Sequence, residues 1–400
     1  MSVLQAVSVL FCALLLFSGV LYLLFNYKLT VGGGGGGAIF GRPNVTKGAK
    51  KLIIDWTGIW SFSFEGYWPR FLKFCPHLAD KCHVTTDRSY YQVADAITFH
   101  IREFNYRYGL TVMPPERYAS QRYVWYTGES PVYTYFDFTN TDQFFNWTIS
   151  YRADADIFWP YGQVERRRKS DQQFDWKKAR LTFRNKTRLV AWWVSDCDVD
   201  SKRQDYVKEL QKHIQVDVFG KCGPFECDES EQDCDALLDR DYKFYLAFEN
   251  SVCDDYITEK FYFRVRHLVI PIVLRDSDYR KITPLGSPAG PDGSYIAVDR
   301  FSSAKQLADR LHFLAGNEDE YFKYFRWRQQ WKVTEYYHRD TGLCKLCDML
   351  HQQLPEKSYS GPELQNWMVG SKFTPICHAN YALQFINSSN KTEASYCVKK

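Results

Sequence analysis

The sequence predicts an α/β fold, in which helices cover sheets of largely parallel strands. Several short runs are hydrophobic on successive residues, which is typical of strands buried on both faces of a parallel sheet. Segments with helical periodicity lie between some of these runs, and this alternation indicates layered α/β domains. The chain of 400 residues is 45% hydrophobic and 24% charged. At roughly 100–200 residues per domain, it is long enough for two or three globular domains.

The strands and helices can be placed along the chain from these patterns. Six hydrophobic runs predict strands, at residues 52–54, 96–99, 123–126, 189–194, 245–248 and 269–274. Two segments carry apolar residues on one helical face and predict helices, at residues 202–214 and 303–314. Residues 163–186 are polar and rich in Lys and Arg, and we expect little of this stretch to pack. It therefore marks the predicted boundary between two α/β halves.

The N-terminus predicts a membrane segment. Residues 6–25 are apolar apart from two serines and a glycine, and about 20 such residues span a bilayer as a helix. A cleaved secretory signal has a shorter apolar stretch of about 7–15 residues, followed by small residues. Here the stretch stays bulky up to Phe25, which favours an uncleaved signal-anchor over a cleaved signal. Residues 32–37 are six consecutive glycines, and they predict a flexible stem.

Cysteines and glycosylation sequons place the part after the anchor in an oxidising lumen. Eleven of the 12 cysteines follow the anchor, and disulfides form in such compartments. The odd number leaves at least one cysteine free or intermolecular. Sequons make five residues N-glycosylation candidates, namely Asn44, Asn146, Asn185, Asn387 and Asn390.

Two further features exclude or narrow functional classes. The net charge of +4 comes without a long basic run, so nucleic acid is not an expected partner. Cys344 and Cys347 form a C-x-x-C motif, for which zinc binding or redox chemistry is the alternative to disulfides. Disulfides are favoured, because no second C-x-x-C accompanies this one and the compartment is oxidising.

Residues 245–260 read as a strand, a polar loop and a helix that begins near Thr258. Ligands of α/β sheets bind at the C-terminal ends of strands, so this loop faces a predicted site. Polar and charged side chains collect in it beside a helix N-terminus, which favours anions such as a diphosphate. These side chains are Asn250, Ser251, Tyr256, Glu259 and Lys260. An ordinary capped turn is the alternative interpretation.

Two more charged residues follow predicted strands. Arg203 lies early in the helix after the strand at 189–194, and an Arg fork suits phosphate oxygens. Glu129 comes just after the strand at 123–126, and Pro131 ends that strand. Four Asp-x-Asp patterns also occur, at residues 154/156, 196/198, 198/200 and 276/278. Such a pair could hold Mg²⁺ or Mn²⁺ for a nucleotide diphosphate, but several are expected by chance among 47 acidic residues.

The stretch from Tyr245 to Lys260, with Glu-Asn-Ser and Asp-Tyr-Ile-Thr-Glu-Lys, resembles the signature of the α1,3-fucosyltransferases. The resemblance extends over residues 50–350. It includes Glu129-Ser130-Pro131, residues 146–152, 156–162 and 193–195, Arg203, and residues 216–220 and 269–274. The C-x-x-C at 344–347 also lies where this family has it.

This resemblance implies an inverting enzyme that uses GDP-fucose. It implies a GT-B fold, in which two Rossmann-like domains face a cleft and follow a single transmembrane helix. The expected parts are a cytoplasmic tail (1–5), a transmembrane signal-anchor (6–27), a Gly-rich stem (28–50), an acceptor domain (51–175), a GDP-fucose domain (176–354) and a C-terminal extension (355–400). The expected location is the Golgi membrane, with a single-pass type II topology and a lumenal catalytic domain.

The resemblance also assigns roles to residues of this chain. Glu129 would be the general base, and Glu259 would stabilise the oxocarbenium-like fucose. Arg203 and Lys260 would bind the diphosphate. Other expected donor-site residues are Tyr161, Tyr245, Asn250 and Tyr256. No tightly bound metal is implied, although Mn²⁺ or Mg²⁺ could stimulate the reaction. Cys75 and Cys82 would form disulfides with Cys344 and Cys347, with the pairing left open.

The sequence departs from the family pattern in three places. Phe263 stands where the family usually has an Asn, residues 282–293 form a longer loop, and residues 355–400 resemble extensions of invertebrate members. Phe263 leaves open a catalytically weak or inactive relative that binds glycans, and the Asp-x-Asp patterns leave open a metal-dependent GT-A transferase. The acceptor is also open between the core GlcNAc of an N-glycan and an antennal, Lewis-type GlcNAc. Whether the protein forms a homodimer is likewise open.

Overall fold

The computed structural model describes residues 39–40, 50–58, 63–103, 113–134, 136–139, 141–226, 231–281, 293–335 and 341–386. These residues form two large parallel sheets with helices packed on them, besides two sheets of two strands each, so the predicted α/β architecture is confirmed. The strands in chain order are β1 (Ile39–Phe40), β2 (Lys51–Asp55), β3 (Cys82–Thr85), β4 (Ala96–His100), β5 (Arg117–Tyr118), β6 (Arg122–Thr127), β7 (Trp147–Ser150), β8 (Ile157–Phe158), β9 (Gly162–Arg166), β10 (Arg188–Trp193), β11 (Val216–Phe219), β12 (Tyr242–Leu246), β13 (Ile270–Val273), β14 (Ile296–Ala297) and β15 (Trp331–Glu335).

Helices and short helical turns connect these strands. The described helices in chain order are α1 (Phe64–Leu72), α2 (Ile101–Glu103), α3 (Trp176–Asn185), α4 (Arg203–Leu210), α5 (Glu231–Asp241), α6 (Glu259–Tyr262), α7 (Asp276–Tyr279), α8 (Ala304–Gly316), α9 (Glu318–Lys323), α10 (Gly342–Leu350) and α11 (Gly361–Val369). The predicted helix at 303–314 corresponds to α8, which begins after Ser303. The Ser303 Oγ accepts a hydrogen bond from Gln306 N at 3.2 Å and caps the helix.

The first sheet has six parallel strands in the order β3-β2-β4-β6-β7-β8. Its central strands are hydrophobic on both faces, and Ile53, Ile54 and Ile97 are fully buried. The second sheet has five parallel strands in the order β11-β10-β12-β13-β14. Parallel strands carry all their C-terminal ends at one edge, so each sheet presents a single edge of polar loops.

Two segments differ from the sequence-based expectations. The strand expected at 245–248 occupies Tyr242–Leu246 instead. The expectation that residues 163–186 pack little is wrong. Strand β9 pairs there with β15 in an antiparallel manner, and α3 buries Ala179 and Phe183 against the core of the second half. Only one face of α3 is apolar, and its many basic residues hide this in the overall composition.

Disulfides bind the segment after the second sheet to the first half. Helix α10 packs under the six-stranded sheet. Cys75 is bonded to Cys344 and Cys82 to Cys347, which resolves the pairing among the four cysteines that the resemblance implied. Further disulfides join Cys197 to Cys222 and Cys253 to Cys377.

The expected anchor at residues 6–27 and the loop at residues 282–292 lie outside the described residues. Of the expected stem, the structure describes residues 39–40 and 50. Within the described ranges, no helix is both long and apolar enough to cross a membrane. The boundaries of the expected parts therefore stay predictions.

Candidate active site

The candidate site lies where loops at the C-terminal ends of the two sheets meet. Glu129 follows β6 of the first sheet, and the loop from Glu249 to Thr258 follows β12 of the second. The Tyr256 hydroxyl donates a hydrogen bond to Glu129 Oε2 across the two halves, at 3.2 Å. Beside it, the hydroxyls of Ser130 and Ser251 share a buried hydrogen bond of 2.5 Å. The site residues of the two halves are therefore in direct contact.

Glu129 is half-buried and has partners on both carboxylate oxygens. Besides Tyr256, the guanidinium of Arg102 lies 3.8 Å from Glu129 Oε1. Burial raises the pKa of Glu129, while Arg102, Lys260 and the Tyr256 hydroxyl oppose the rise. Its backbone N–H donates to Thr127 Oγ1 at 3.1 Å, which fixes the turn after the strand. A carboxylate with a raised pKa binds protons more strongly, as a general base must.

Three tyrosines surround this carboxylate. Tyr256 is almost fully buried, and its ring packs edge-on against Tyr151 at 4.9 Å and against Tyr161 at 6.5 Å between centroids. The Tyr161 hydroxyl donates to the carbonyl of Gly128 at 2.7 Å, directly beside Glu129. Asp255 adopts a left-handed backbone with φ 62°, which turns the loop so that Tyr256 points back into the interface. Tyr161 and Tyr256 therefore lie next to Glu129, and their role in binding the donor stays a prediction.

A cluster of alternating charges forms the start of α6. Thr258 donates from its backbone N–H to Glu249 Oε1 at 2.8 Å. Lys260 Nζ lies 3.3 Å from Glu249 Oε2 and 3.0 Å from Glu259 Oε1. Burial alone would lower the pKa of Lys260, but the carboxylates of Glu249 and Glu259 raise it. Burial would raise the pKa of Glu259, but Lys260 lowers it. Lys260 and Glu259 are therefore both charged at neutral pH.

Glu249 belongs to the same cluster, although the sequence analysis did not single it out. It is 5% exposed, and burial raises its pKa. Its carboxylate holds both the backbone and the hydroxyl of Thr258 and also pairs with Lys260. The sequence feature that could have identified Glu249 is its position next to Asn250 in the polar loop after β12. Residue type alone does not reveal that this carboxylate turns inward to hold the start of α6.

Arg203 is buried near the same loops. It donates to the carbonyls of Phe248 and Asp196, and its guanidinium lies 5.7 Å from the centre of the Trp192 ring. Burial lowers its pKa, while Glu249 counteracts this. Its Nε has no hydrogen-bond partner within the described part of the chain. A buried guanidinium with an unused N–H can bind an anionic oxygen.

Asn250 and Tyr245 take different positions. Asn250 is half-buried, and its Oδ1 accepts from Ser251 N at 2.9 Å, so it belongs to the same loop cluster. Tyr245 is 2% exposed. It packs between Trp193, with ring centroids 5.6 Å apart, and the guanidinium of Arg264, which lies 5.7 Å from its ring centre. The structure therefore places Tyr245 in the core rather than beside Glu129, and its donor-binding role stays a prediction.

Phe263 ends α6 and is half-buried in the core of the second half. The guanidinium of Arg266 lies 5.5 Å from its ring centre. Its neighbours are thus hydrophobic and cationic, and the effect of this residue on activity stays open.

Five of the seven aspartates in the Asp-x-Asp patterns form ion pairs with basic side chains. Among the described residues these pairs are Asp154 with Arg152, Asp156 with Lys357, Asp198 with Lys202, Asp276 with Arg280 and Arg300, and Asp278 with Arg275. Cys82, Cys347 and His351 lie close enough for a metal, but the two cysteines are joined in a disulfide. The expectation that the reaction needs no tightly bound metal stays a prediction.

The sequons fall into three groups. Asn146 is buried, and its side chain bonds to Tyr123 N, Arg117 and Lys357 O. The Asn146 side chain is thus engaged inside the folded protein, and glycosylation of this asparagine stays a prediction. Asn185 is exposed at the end of α3. The other three sequons, at residues 44, 387 and 390, lie outside the described residues.

Two family models match the chain, and together they cover both sheets. "Fucosyltransferase, N-terminal" matches residues 48–162, and "Glycosyltransferase family 10 (fucosyltransferase) C-term" matches residues 183–367. The chain belongs to glycosyltransferase family 10. It is therefore a fucosyltransferase, and Glu129 lies in the first matched region while the charged cluster at α6 lies in the second.

Three relatives, from fly, nematode and human, support this membership. The chain is 32% identical to alpha-(1,3)-fucosyltransferase C of Drosophila melanogaster, over 80% of this chain and 78% of the relative. It is 31% identical to alpha-(1,3)-fucosyltransferase fut-5 of Caenorhabditis elegans, over 94% and 95%. It is 37% identical to human 4-galactosyl-N-acetylglucosaminide 3-alpha-L-fucosyltransferase FUT5, over 76% of each. A crystal structure of an alpha1,3-fucosyltransferase with GDP-fucose matches with a TM-score of 0.46 and 14% identity, over 82% and 96%.

Proposed function

We propose that this fucosyltransferase moves L-fucose from GDP-fucose to the 3-hydroxyl of a GlcNAc residue in a glycoprotein glycan. The linkage proposal is supported by the relatives from fly, nematode and human, whose names all specify a 3-linked fucose. The observation that carries the mechanism is the contact between Glu129 of one half and Tyr256 of the other. It brings a proton acceptor next to a loop rich in groups that can bind a sugar diphosphate.

In this mechanism Glu129 is the general base. The acceptor 3-hydroxyl gives its proton to the Glu129 carboxylate while its oxygen forms a bond to C1 of fucose. The bond between C1 and the phosphate oxygen breaks on the opposite face, and GDP leaves with the bonding electrons. A single displacement of this kind inverts the configuration at C1. Arg102 and the Tyr256 hydroxyl hold the carboxylate in one orientation.

The charged cluster and Arg203 would stabilise the departing diphosphate and the positively charged fucose ring in the transition state. Lys260 and Arg203 carry positive charge toward the departing diphosphate, which reduces the need for a tightly bound metal. Mn²⁺ or Mg²⁺ would act only as a stimulating ion. Glu259 stays ionised beside Lys260, so its carboxylate can stabilise the positive charge that develops on the fucose ring.

The wider setting of the enzyme is also part of this proposal. Two parallel sheets with polar loops meeting at their C-terminal ends suit a GT-B arrangement, in which the first half binds the acceptor and the second binds GDP-fucose. The apolar residues 6–25 and the four described disulfides suit a type II protein of the Golgi membrane. The core GlcNAc of N-glycans and the antennal GlcNAc both remain candidate acceptors.

A defined acceptor panel tests the proposal. The purified full chain is incubated with GDP-fucose and with glycans that carry either a core or an antennal GlcNAc, and the linkage of each product is determined. We expect fucose on O3 of GlcNAc in one acceptor class. Fucose attached at another position, or to a different sugar, would contradict the proposed linkage.

A further inference from the structure

The last described segment, residues 370–386, packs on the two loops that carry the candidate donor site. We call this segment the brace. The C-terminal family match ends at residue 367, so the brace lies beyond it. It continues directly from α11, which packs on the first sheet, where the rings of Trp367 and Trp125 meet edge-on at 5.5 Å between centroids.

The first loop that the brace holds is the one that leads to Tyr256. Cys377 of the brace forms a disulfide with Cys253 of this loop. The residues around the disulfide pair as an antiparallel bridge with two backbone hydrogen bonds of 2.8 Å, one of them from His378 N to Val252 O. A covalent bond and a backbone bridge therefore attach the loop to the brace between Asn250 and Tyr256.

The second loop is the one that leads into α4 and Arg203. The backbone N–H of Asn380 donates to Asp200 O at 2.8 Å, and that of Ala382 donates to Ser201 O at 3.0 Å. Ser201 in turn donates from its backbone N–H to the carbonyl of Asn250 at 3.0 Å. The brace is thus bonded to both loops, and the two loops are also bonded to each other.

The far end of the brace is fixed in the protein core. Ala382 is fully buried and Phe385 is 7% exposed, and both belong to the hydrophobic core of the second half. The Tyr381 hydroxyl also donates to Asp299 Oδ2 at 3.0 Å. A segment held at both ends restricts the loops between them far more than a free tail would.

We propose that the brace is a positioning element for the donor. It holds Asn250, Tyr256 and Arg203 in the arrangement that binds the nucleotide sugar. This inference rests on the proposed donor chemistry. If the two loops keep this arrangement in only about a tenth of the molecules once the brace is released, the apparent affinity for the nucleotide falls about tenfold.

Calorimetric titration of the purified full chain with GDP tests the proposal in two independent variants. Cys253→Ser/Cys377→Ser removes the covalent attachment, and His378→Pro removes the hydrogen bond to Val252 while the cysteines stay. The matched control is Cys82→Ser/Cys347→Ser, which also removes a long-range disulfide but far from the donor loops in the first half. All titrations are performed well below the Tm of the least stable variant, so that every sample is folded.

We expect the GDP Kd to rise about tenfold in both brace variants and to stay at the wild-type value in the control. The KM for the glycan acceptor should stay unchanged in the brace variants. Equal GDP affinity in wild type and both brace variants, or the same loss in the control, would overturn the proposal. If the wild type itself does not bind GDP, the proposed donor is wrong, and this result is distinct from a failure of the brace.

Discussion

The pairing of Arg102 with Glu129 predicts how acid inactivates the enzyme. The guanidinium lies 3.8 Å from the carboxylate, and replacing it with the neutral side chain in Arg102→Gln removes a positive charge that lowers the pKa of Glu129. The pKa of the base should therefore rise further above its usual value. Since the base works only when ionised, activity should be lost at a higher pH in the variant than in the wild type.

The size of this shift follows from the geometry. Two unit charges about 4 Å apart interact by about 4 kcal/mol at an effective dielectric constant of about 20. The side chains of Arg102 and Glu129 are 33% and 19% exposed, and solvent screening reduces the interaction well below that figure. A remaining interaction of about 1 kcal/mol, the upper end of what surface pairs retain, corresponds to just under one pH unit.

The assay is the pH dependence of kcat/KM between pH 4.5 and 8, at fixed ionic strength. In Arg102→Gln we expect the acidic limb of the pH–rate profile to move up by about one pH unit. The plateau value of kcat/KM should also fall somewhat, because the carboxylate of Glu129 is held less firmly. Arg168→Gln, which makes the same change of charge at an exposed position, is the matched control and should leave the limb unchanged. An unshifted limb in Arg102→Gln would refute the coupling of the two residues.

Two further predictions concern the charged cluster and metals. Lys260→Met should weaken GDP binding about tenfold to a hundredfold, and it should lower the free energy of unfolding by about 2 kcal/mol because the buried carboxylate of Glu249 loses its cation. Calorimetry with GDP measures the first effect, and thermal unfolding measures the second. Unchanged GDP affinity would contradict a role of Lys260 at the diphosphate. Excess EDTA should leave a substantial fraction of fucosyl transfer intact, because Arg203 and Lys260 supply positive charge at the departing diphosphate. Complete loss of transfer that Mn²⁺ restores would contradict this role of the two side chains.

The sequence predicted best those elements whose signals are local. Hydrophobic runs located β2, β4, β6, β10 and β13 closely, because a strand buried on both faces needs an apolar residue at nearly every position. The sequence also placed the start of a helix near Thr258, and the Thr258 Oγ1 caps α6 there by accepting from Lys260 N.

Features that depend on distant contacts were not predictable in the same way. The inward turn of Glu249, the burial of Tyr245 and the disulfide between Cys253 and Cys377 depend on which surfaces meet in the folded chain. The buried face of α3 was hidden by its basic residues. Asn146 matched a sequon, yet the fold uses its amide to bond Tyr123 and other neighbours, and no local pattern distinguishes the two uses of an asparagine.

The most direct test of the central claim is transfer by Glu129→Gln. Gln has nearly the same shape as Glu but cannot accept the proton, and removal of a general base typically costs about 10²–10⁴-fold in rate. Burial raises the pKa of Glu129, so its ionised carboxylate lowers the free energy of unfolding near neutral pH. The neutral Gln does not carry this cost, and the variant should therefore be at least as stable as the wild type. We predict that transfer is lost by at least about a hundredfold while the GDP Kd stays unchanged. Transfer at a near-normal rate would contradict the assignment of Glu129 as the base.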